Sequence, residues 1–243
     1  MKKLTNLALL SAISIFGTGT LTAAKDSNDF EKKLTDVLDK KPEIVTTALQ
    51  KVMLKQQMEQ AKKQKDAISK EAKNLTEDTT APFLGNKNGT VKMVVFLDPL
   101  CKYCKKFHPI LTQAVEKHKD LKVIIKDFPI FGGKSEEMVR LKLAAYEQSP
   151  EKYKTFESKT FEMEDPTLED LLKVAQGLGF DEATLKAAMT DTKIENQIKA
   201  TTALAQRLGI EGTPAIIINN EMIPGYVDLE TLNKLIEPSK KSA

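Results

Sequence analysis

From residue 29 to residue 76 apolar side chains recur at helical spacing, with no glycine among them. Phe30, Leu34, Val37 and Leu38 make one broad face. Pro42 suits the first turn of a second helix, with Ile44, Val45, Ala48, Leu49, Val52 and Met53 as its stripe. The stripe then narrows to Leu54, Met58, Ala61, Lys65, Ile68, Ala72 and Leu75, which alternate steps of four and three. That is a short heptad seam carrying one lysine. It suits either a helix from a second copy or the surface of its own domain, and both remain open.

The period changes after a polar stretch from Thr76 to Thr90, which reads as a linker. Val91–Leu97 is a buried strand, Cys101 to about Lys117 a helix with Phe107, Leu111, Ala114 and Val115 inward, and Leu121–Phe128 a second strand. Strand, helix, strand at this spacing is a parallel crossover unit, so the class is α/β. Residues from about 135 to 208 read as helical. Thr167 and Asp170 form a capping box there, and Gly177 and Gly179 mark a helix end. Ala215–Ile218 is a third strand. Asn219-Asn220-Glu221 turns the chain into a short return strand at Met222-Ile223, and a last helix runs from about Asp228 to Ile236.

The N-terminus alters this picture. Lys2-Lys3, the apolar run Leu7–Phe16 and the small residues ending at Ala24 make a secretory signal peptide, cleaved near Ala24. The apolar run is too short to span a bilayer. The organisation expected is therefore a signal peptide at 1–24, a helical arm at 25–78, a catalytic domain at 79–238 with a helical insertion at about 134–208, and a tail at 239–243. Removing Lys2 and Lys3 from the 37 basic residues leaves them nearly matched with the 34 acids. No nucleic acid or anionic surface is called for.

Export gives meaning to the two cysteines, Cys101 and Cys104. A bridge between them closes a tiny loop, so it would stabilise the fold little. Their place at a helix start suits chemistry instead. Unpaired amide N–H groups and the helix dipole favour a thiolate at Cys101. Cys104, one turn on, can attack a mixed disulfide held there. This assigns Cys101 as an accessible nucleophile and Cys104 as a shielded resolving thiol. Lys102 and Tyr103 between them, and His108 on the same face, are candidates for tuning the pair. The competing readings are half of a metal site, for which only His108 and His118 supply nitrogen, and an inert structural pair. Thr213-Pro214 directly precedes an apolar strand, where a proline can mark a tight turn.

Phe96-Leu-Asp-Pro-Leu-Cys101-Lys-Tyr-Cys104-Lys-Lys-Phe-His108, with Gly212-Thr-Pro-Ala215 about 110 residues later, resembles the DsbA-like thiol–disulfide oxidoreductases of the thioredoxin superfamily. The arm, around Pro42–Leu49, is similar to the N-terminal region of ScsC-like proteins. The resemblance covers roughly residues 82 to 236. It implies a thioredoxin-like fold with a helical insertion and an N-terminal helical extension. It further implies a cis Thr213-Pro214 loop that faces the thiols and binds substrate, and dithiol–disulfide exchange without cofactor or metal. Expected partners are reduced or unfolded exported proteins, a membrane redox partner and further copies of the chain through the arm, in the periplasm. The alternatives are an oligomeric ScsC-type isomerase or reductase and a copper-binding thiol protein. Two departures stand out. Val95 occupies a position where many relatives carry glutamate, and Lys102-Tyr103 replaces a common Pro-His pair.

Overall fold

The computed structural model describes residues 21–239. The expected signal peptide lies outside them except for its last four residues, and the tail lies outside from residue 240. The chain divides into two compact units, one ending at Met58 and one starting at Glu59. The expected boundary between arm and domain was 78/79. Among the described residues no helix is long and apolar enough to cross a membrane.

The first unit consists of α1 (Leu21–Lys40) and the first half of α2 (Glu43–Lys70). Pro42, which cannot donate an N–H, directly precedes α2. Lys33–Asp29 and Lys40–Asp36 ion pairs support α1 at i,i+4 spacing. Phe30, Leu34, Ile44, Leu49, Met53 and Met58 stay exposed.

The second unit is built on a five-stranded sheet in the order β1-β3-β2-β4-β5. These strands are β1 (Phe83–Gly85), β2 (Val91–Leu97), β3 (Leu121–Asp127), β4 (Ala215–Ile218) and β5 (Glu221–Pro224). Only β2 and β3 run parallel, joined through α4 (Lys102–Lys117), and β1, β4 and β5 are antiparallel to their neighbours. β2 shows why the strand is apolar throughout. Met93, Val95 and Leu97 pack with Phe107 and Leu111 of α4 and Leu232 and Ile236 of α10 (Leu229–Ser239). Val94 and Phe96 pack on the opposite face with Leu204 and Leu208 of α9 (Thr192–Leu208). Both faces are covered, so alternation gives way to a continuous apolar run.

Ile68, late in α2, and Leu75 of α3 (Ala72–Thr76) join that second face. The heptad seam is therefore not one continuous surface. Ile68 and Leu75 are buried within their own domain, whereas Leu54, Met58 and Ala72 are exposed. Strand β1 corrects the expectation of a linker from 76 to 90. Phe83 pairs with Ile124, and the strand ends at Gly85, where φ is +83° and a Cβ would meet the Leu121 carbonyl oxygen at 2.3 Å.

The insertion holds α5 (Gly133–Gln148), α6 (Pro150–Glu162), α7 (Leu168–Gly177) and α8 (Glu182–Met189), followed by α9. Thr167 and Asp170 cap α7 reciprocally, as the sequence indicates. The insertion has its own core, including Met138, Leu141, Tyr153, Phe156, Leu171 and Ile194. A buried charge cluster joins it to the sheet. Lys142 of α5 pairs with Asp127 at the end of β3 and with Glu157 of α6 at 3.0 Å. The Tyr153 hydroxyl donates to Glu157 at 2.8 Å. Burial outweighs the lysine and raises the Asp127 pKa to about 6.

Candidate active site

Parallel pairing brings the end of β2 and the end of β3 to one edge of the sheet, with Leu97 opposite Asp127. Antiparallel pairing sets Phe96 opposite Ala215 and Ala215 opposite Pro224. The loops that carry Cys101 and Thr213-Pro214 therefore meet, although they lie far apart in sequence. Thr213-Pro214 is a cis peptide. The Gly225 N–H donates to the Pro214 carbonyl at 2.8 Å, tying this loop to the segment after β5.

Cys101 is the N-cap of α4, and its Sγ accepts from the Cys104 N–H at 3.4 Å. Its thiol faces the Thr213 carbonyl oxygen at 3.2 Å. The Cys101 pKa falls from the ordinary value of 9.0 to about 6. The hydrogen bond from the Cys104 thiol is the largest cause. Burial opposes it, and the Thr213 side chain and the Cys104 and Tyr103 N–H groups add to it. Burial, with the Cys101 charge beside it, pushes the Cys104 thiol far up. The two sulfurs are thus strongly unequal, as free thiols.

One expectation is corrected. Cys101 is not the openly exposed thiol the sequence suggests, since it is 3 % exposed against 0 % for Cys104. The cover is the Thr213-Pro214 loop, which seats a carbonyl on the sulfur. Thr213 Oγ1 is itself buried without a partner of ordinary hydrogen-bond geometry, yet it lies close enough to lower the pKa of both sulfurs.

The other candidates separate. The Tyr103 N–H contributes to the low Cys101 pKa, and the Tyr103 ring is exposed. Lys102 is exposed on the first turn of α4. His108 is buried and stacked on Phe161 of α6 with ring centroids 4.8 Å apart. Burial first, then the charge of Lys142, lowers its pKa to about 4, so it is neutral near pH 7. His118 bonds Asn233 instead. Among the described residues no group of three or more histidine, cysteine or acidic side chains is placed to hold a metal ion.

Sequence reasoning places Asp98 in the turn before the motif without giving it a role at the site. Fully buried, its carboxylate accepts from the N–H groups of Leu100 and Ile130, both at 2.7 Å, and from the Ser135 hydroxyl. The Asp98 carbonyl accepts from the Cys101 N–H at 3.1 Å. It clamps the loop before the nucleophile to the start of the insertion. An acid followed by proline at a strand end was the available signal.

Residues 92–237 match the DSBA-like thioredoxin domain. The chain belongs to that family. Among curated proteins, this DSBA-like chain is 26% identical over 174 residues to disulfide bond formation protein D of Bacillus subtilis, covering 66% of this chain and 77% of the relative. Among solved structures, the thiol-disulfide exchange protein α-DsbA2 of Wolbachia pipientis is 31% identical with a TM-score of 0.68, over 72% of this chain and 95% of that one. A linker-deleted ScsC variant of Proteus mirabilis aligns over 93% of this chain and 100% of its own, with a TM-score of 0.69. At 24% identity the last match is one of fold alone.

Proposed function

We propose that this DSBA-like protein works in the periplasm, forming or exchanging disulfides in exported proteins through Cys101 and Cys104. The reaction class, thiol–disulfide exchange, is that of its family. The observation that carries the assignment to these residues is their inequality: a sulfur with pKa near 6 at a helix N-cap, beside one whose pKa is driven up by burial. The acidic sulfur is a stable leaving group as well as the available nucleophile at neutral pH.

In the oxidising direction a substrate thiolate attacks the Cys101 sulfur of the Cys101–Cys104 disulfide, and Cys104 leaves and takes a proton. A second substrate thiolate then attacks the substrate sulfur of the mixed disulfide, and Cys101 leaves as thiolate. The substrate loses two electrons and the protein gains them. A membrane redox partner would restore the disulfide. Thr213 and Pro214 would hold the substrate strand, since the Thr213 backbone lies beside Cys101.

A second reading, an oligomeric isomerase of ScsC type, is favoured by the exposed apolar side chains between Phe30 and Met58, which suit helices from further copies. In that mode the reduced protein attacks wrong disulfides. Equilibration with glutathione buffers, read by trapping free thiols, tests the central reading. Reversible two-electron oxidation that requires both cysteines is expected, and a pair that does not equilibrate would overturn it.

A further inference from the structure

From Glu59 onward, the large apolar or aromatic side chains left exposed among the described residues are three: Tyr103 at 57%, Phe131 at 53% and Tyr226 at 42%. Scattered exposed rings are unremarkable on a protein surface. These are not scattered. Tyr103 follows β2, Phe131 follows β3 and Tyr226 follows β5, and the strand register brings those three strand ends to the same edge of the sheet. Phe131 is next to Ile130, whose N–H the Asp98 carboxylate holds. Tyr226 is next to Gly225, whose N–H holds the Pro214 carbonyl. Each exposed ring is thus one residue from, or within, a segment that shapes the surroundings of Cys101.

Two of the rings are joined. Tyr103 and Tyr226 stack with centroids 5.8 Å apart and planes 22° from parallel, and Lys106 Nζ lies 5.6 Å from the Tyr103 centroid. The stack fixes two aromatic faces in the open, so little ordering remains for a partner to supply. A groove of about 370 Å³ continues from Gly225 along Pro214, Ile210, Met222 and Pro224. The groove is lined by Thr213, whose carbonyl lies on the Cys101 sulfur, and by Gly225, the neighbour of Tyr226.

We propose that the Tyr103–Tyr226 pair is a docking platform that selects substrate cysteines lying next to an aromatic side chain. The occupant is an extended stretch of another polypeptide. Its ring stacks on the tyrosine pair while its cysteine sulfur meets Cys101. This inference rests on the disulfide-exchange reading and names the substrate class for it. An additional aromatic contact of this kind corresponds to a preference of about two- to ten-fold.

The test uses the full-length oxidised protein and two synthetic dithiol peptides of equal length and charge, with phenylalanine or serine beside the first cysteine. Each peptide gains a disulfide as the protein's is reduced, so the rates are read from the loss of peptide thiols. The phenylalanine peptide should react about two- to ten-fold faster. In Tyr226→Ser the ratio should fall towards one, and in Tyr226→Phe it should persist. Equal rates in the unsubstituted protein, or a preference that survives Tyr226→Ser, would overturn the platform while exchange itself still proceeds. No exchange with either peptide or with glutathione would instead remove the disulfide-exchange reading, and the platform with it.

Discussion

The thiol of Cys101 sits 3.2 Å from the carbonyl oxygen of Thr213, with the Thr213 hydroxyl close by. One loop residue therefore both covers the nucleophile and helps set its acidity.

Thiolate absorbance should titrate with a midpoint near pH 6 in the reduced protein. Thr213→Val deletes the hydroxyl but keeps the backbone, and should raise that midpoint. The sign for stability follows. A depressed pKa stabilises the reduced fold fully above pH 9, and this stabilisation is lost as pH falls through 6. The advantage of reduced protein over Cys101→Ala in urea unfolding should shrink over that interval. A midpoint near 9, or a Cys101 that resists even small alkylating reagents, would count against the assignment.

The two cysteines should fail differently. Cys101→Ala abolishes exchange. Cys104→Ala leaves Cys101 able to form mixed disulfides with no internal thiol to resolve them, so they accumulate. Non-reducing gels with mass spectrometry read the difference, and equal loss without trapped species would contradict the roles. Because Cys104 is the largest cause of the low Cys101 pKa, the trapping variant should also titrate higher than the unsubstituted protein.

Lys142→Met should cost about 3–5 kcal/mol at pH 7.5, since it leaves Asp127 and Glu157 buried without their cation. The Asp127 pKa is raised from 3.8 to about 6, so its contribution is fully present below 3.8 and lost as pH rises through 6. Without Lys142 the Asp127 carboxyl favours its protonated form still more. The deficit should therefore be smaller at pH 5 than at pH 7.5 by urea unfolding. A deficit that does not change with pH would mean the cluster is not acting through charge.

Deleting residues 25–58 should remove any self-association while leaving the second unit folded. The exposed apolar residues from Phe30 to Met58 go with that segment, and Ile68 and Leu75 stay. Sedimentation gives the mass and circular dichroism the fold. An unchanged oligomer after deletion would exclude this face as the interface.

The crossover unit and the CxxC were legible because β2 and α4 each declare themselves locally, one by an apolar run and the other by helical spacing beside the cysteines. Strand β1 was not. Phe83-Leu84-Gly85 is too short to show a period, and its partner Ile124 is distant in sequence. The burial of Cys101 was hidden for a similar reason, since its cover comes from Thr213. His108 shares a helix face with the cysteines, but its neighbour Phe161 belongs to α6, which spacing along α4 cannot reveal. The acidity of Cys101 was anticipated from the helix start, but the largest contribution comes from Cys104 itself.

The last turns of α2 also bear on where this chain can be cut. Lys65 pairs with Glu221 at 2.7 Å, Asn220 donates to Ser69 at 2.8 Å, and Gln64 reaches Met222, so that helix grips the outermost strand. A fragment beginning at residue 79 would lose this grip and the plugs Ile68 and Leu75. Its bare flank would be free to recruit a neighbour's strand and clump. A fragment beginning at residue 59 keeps the seal.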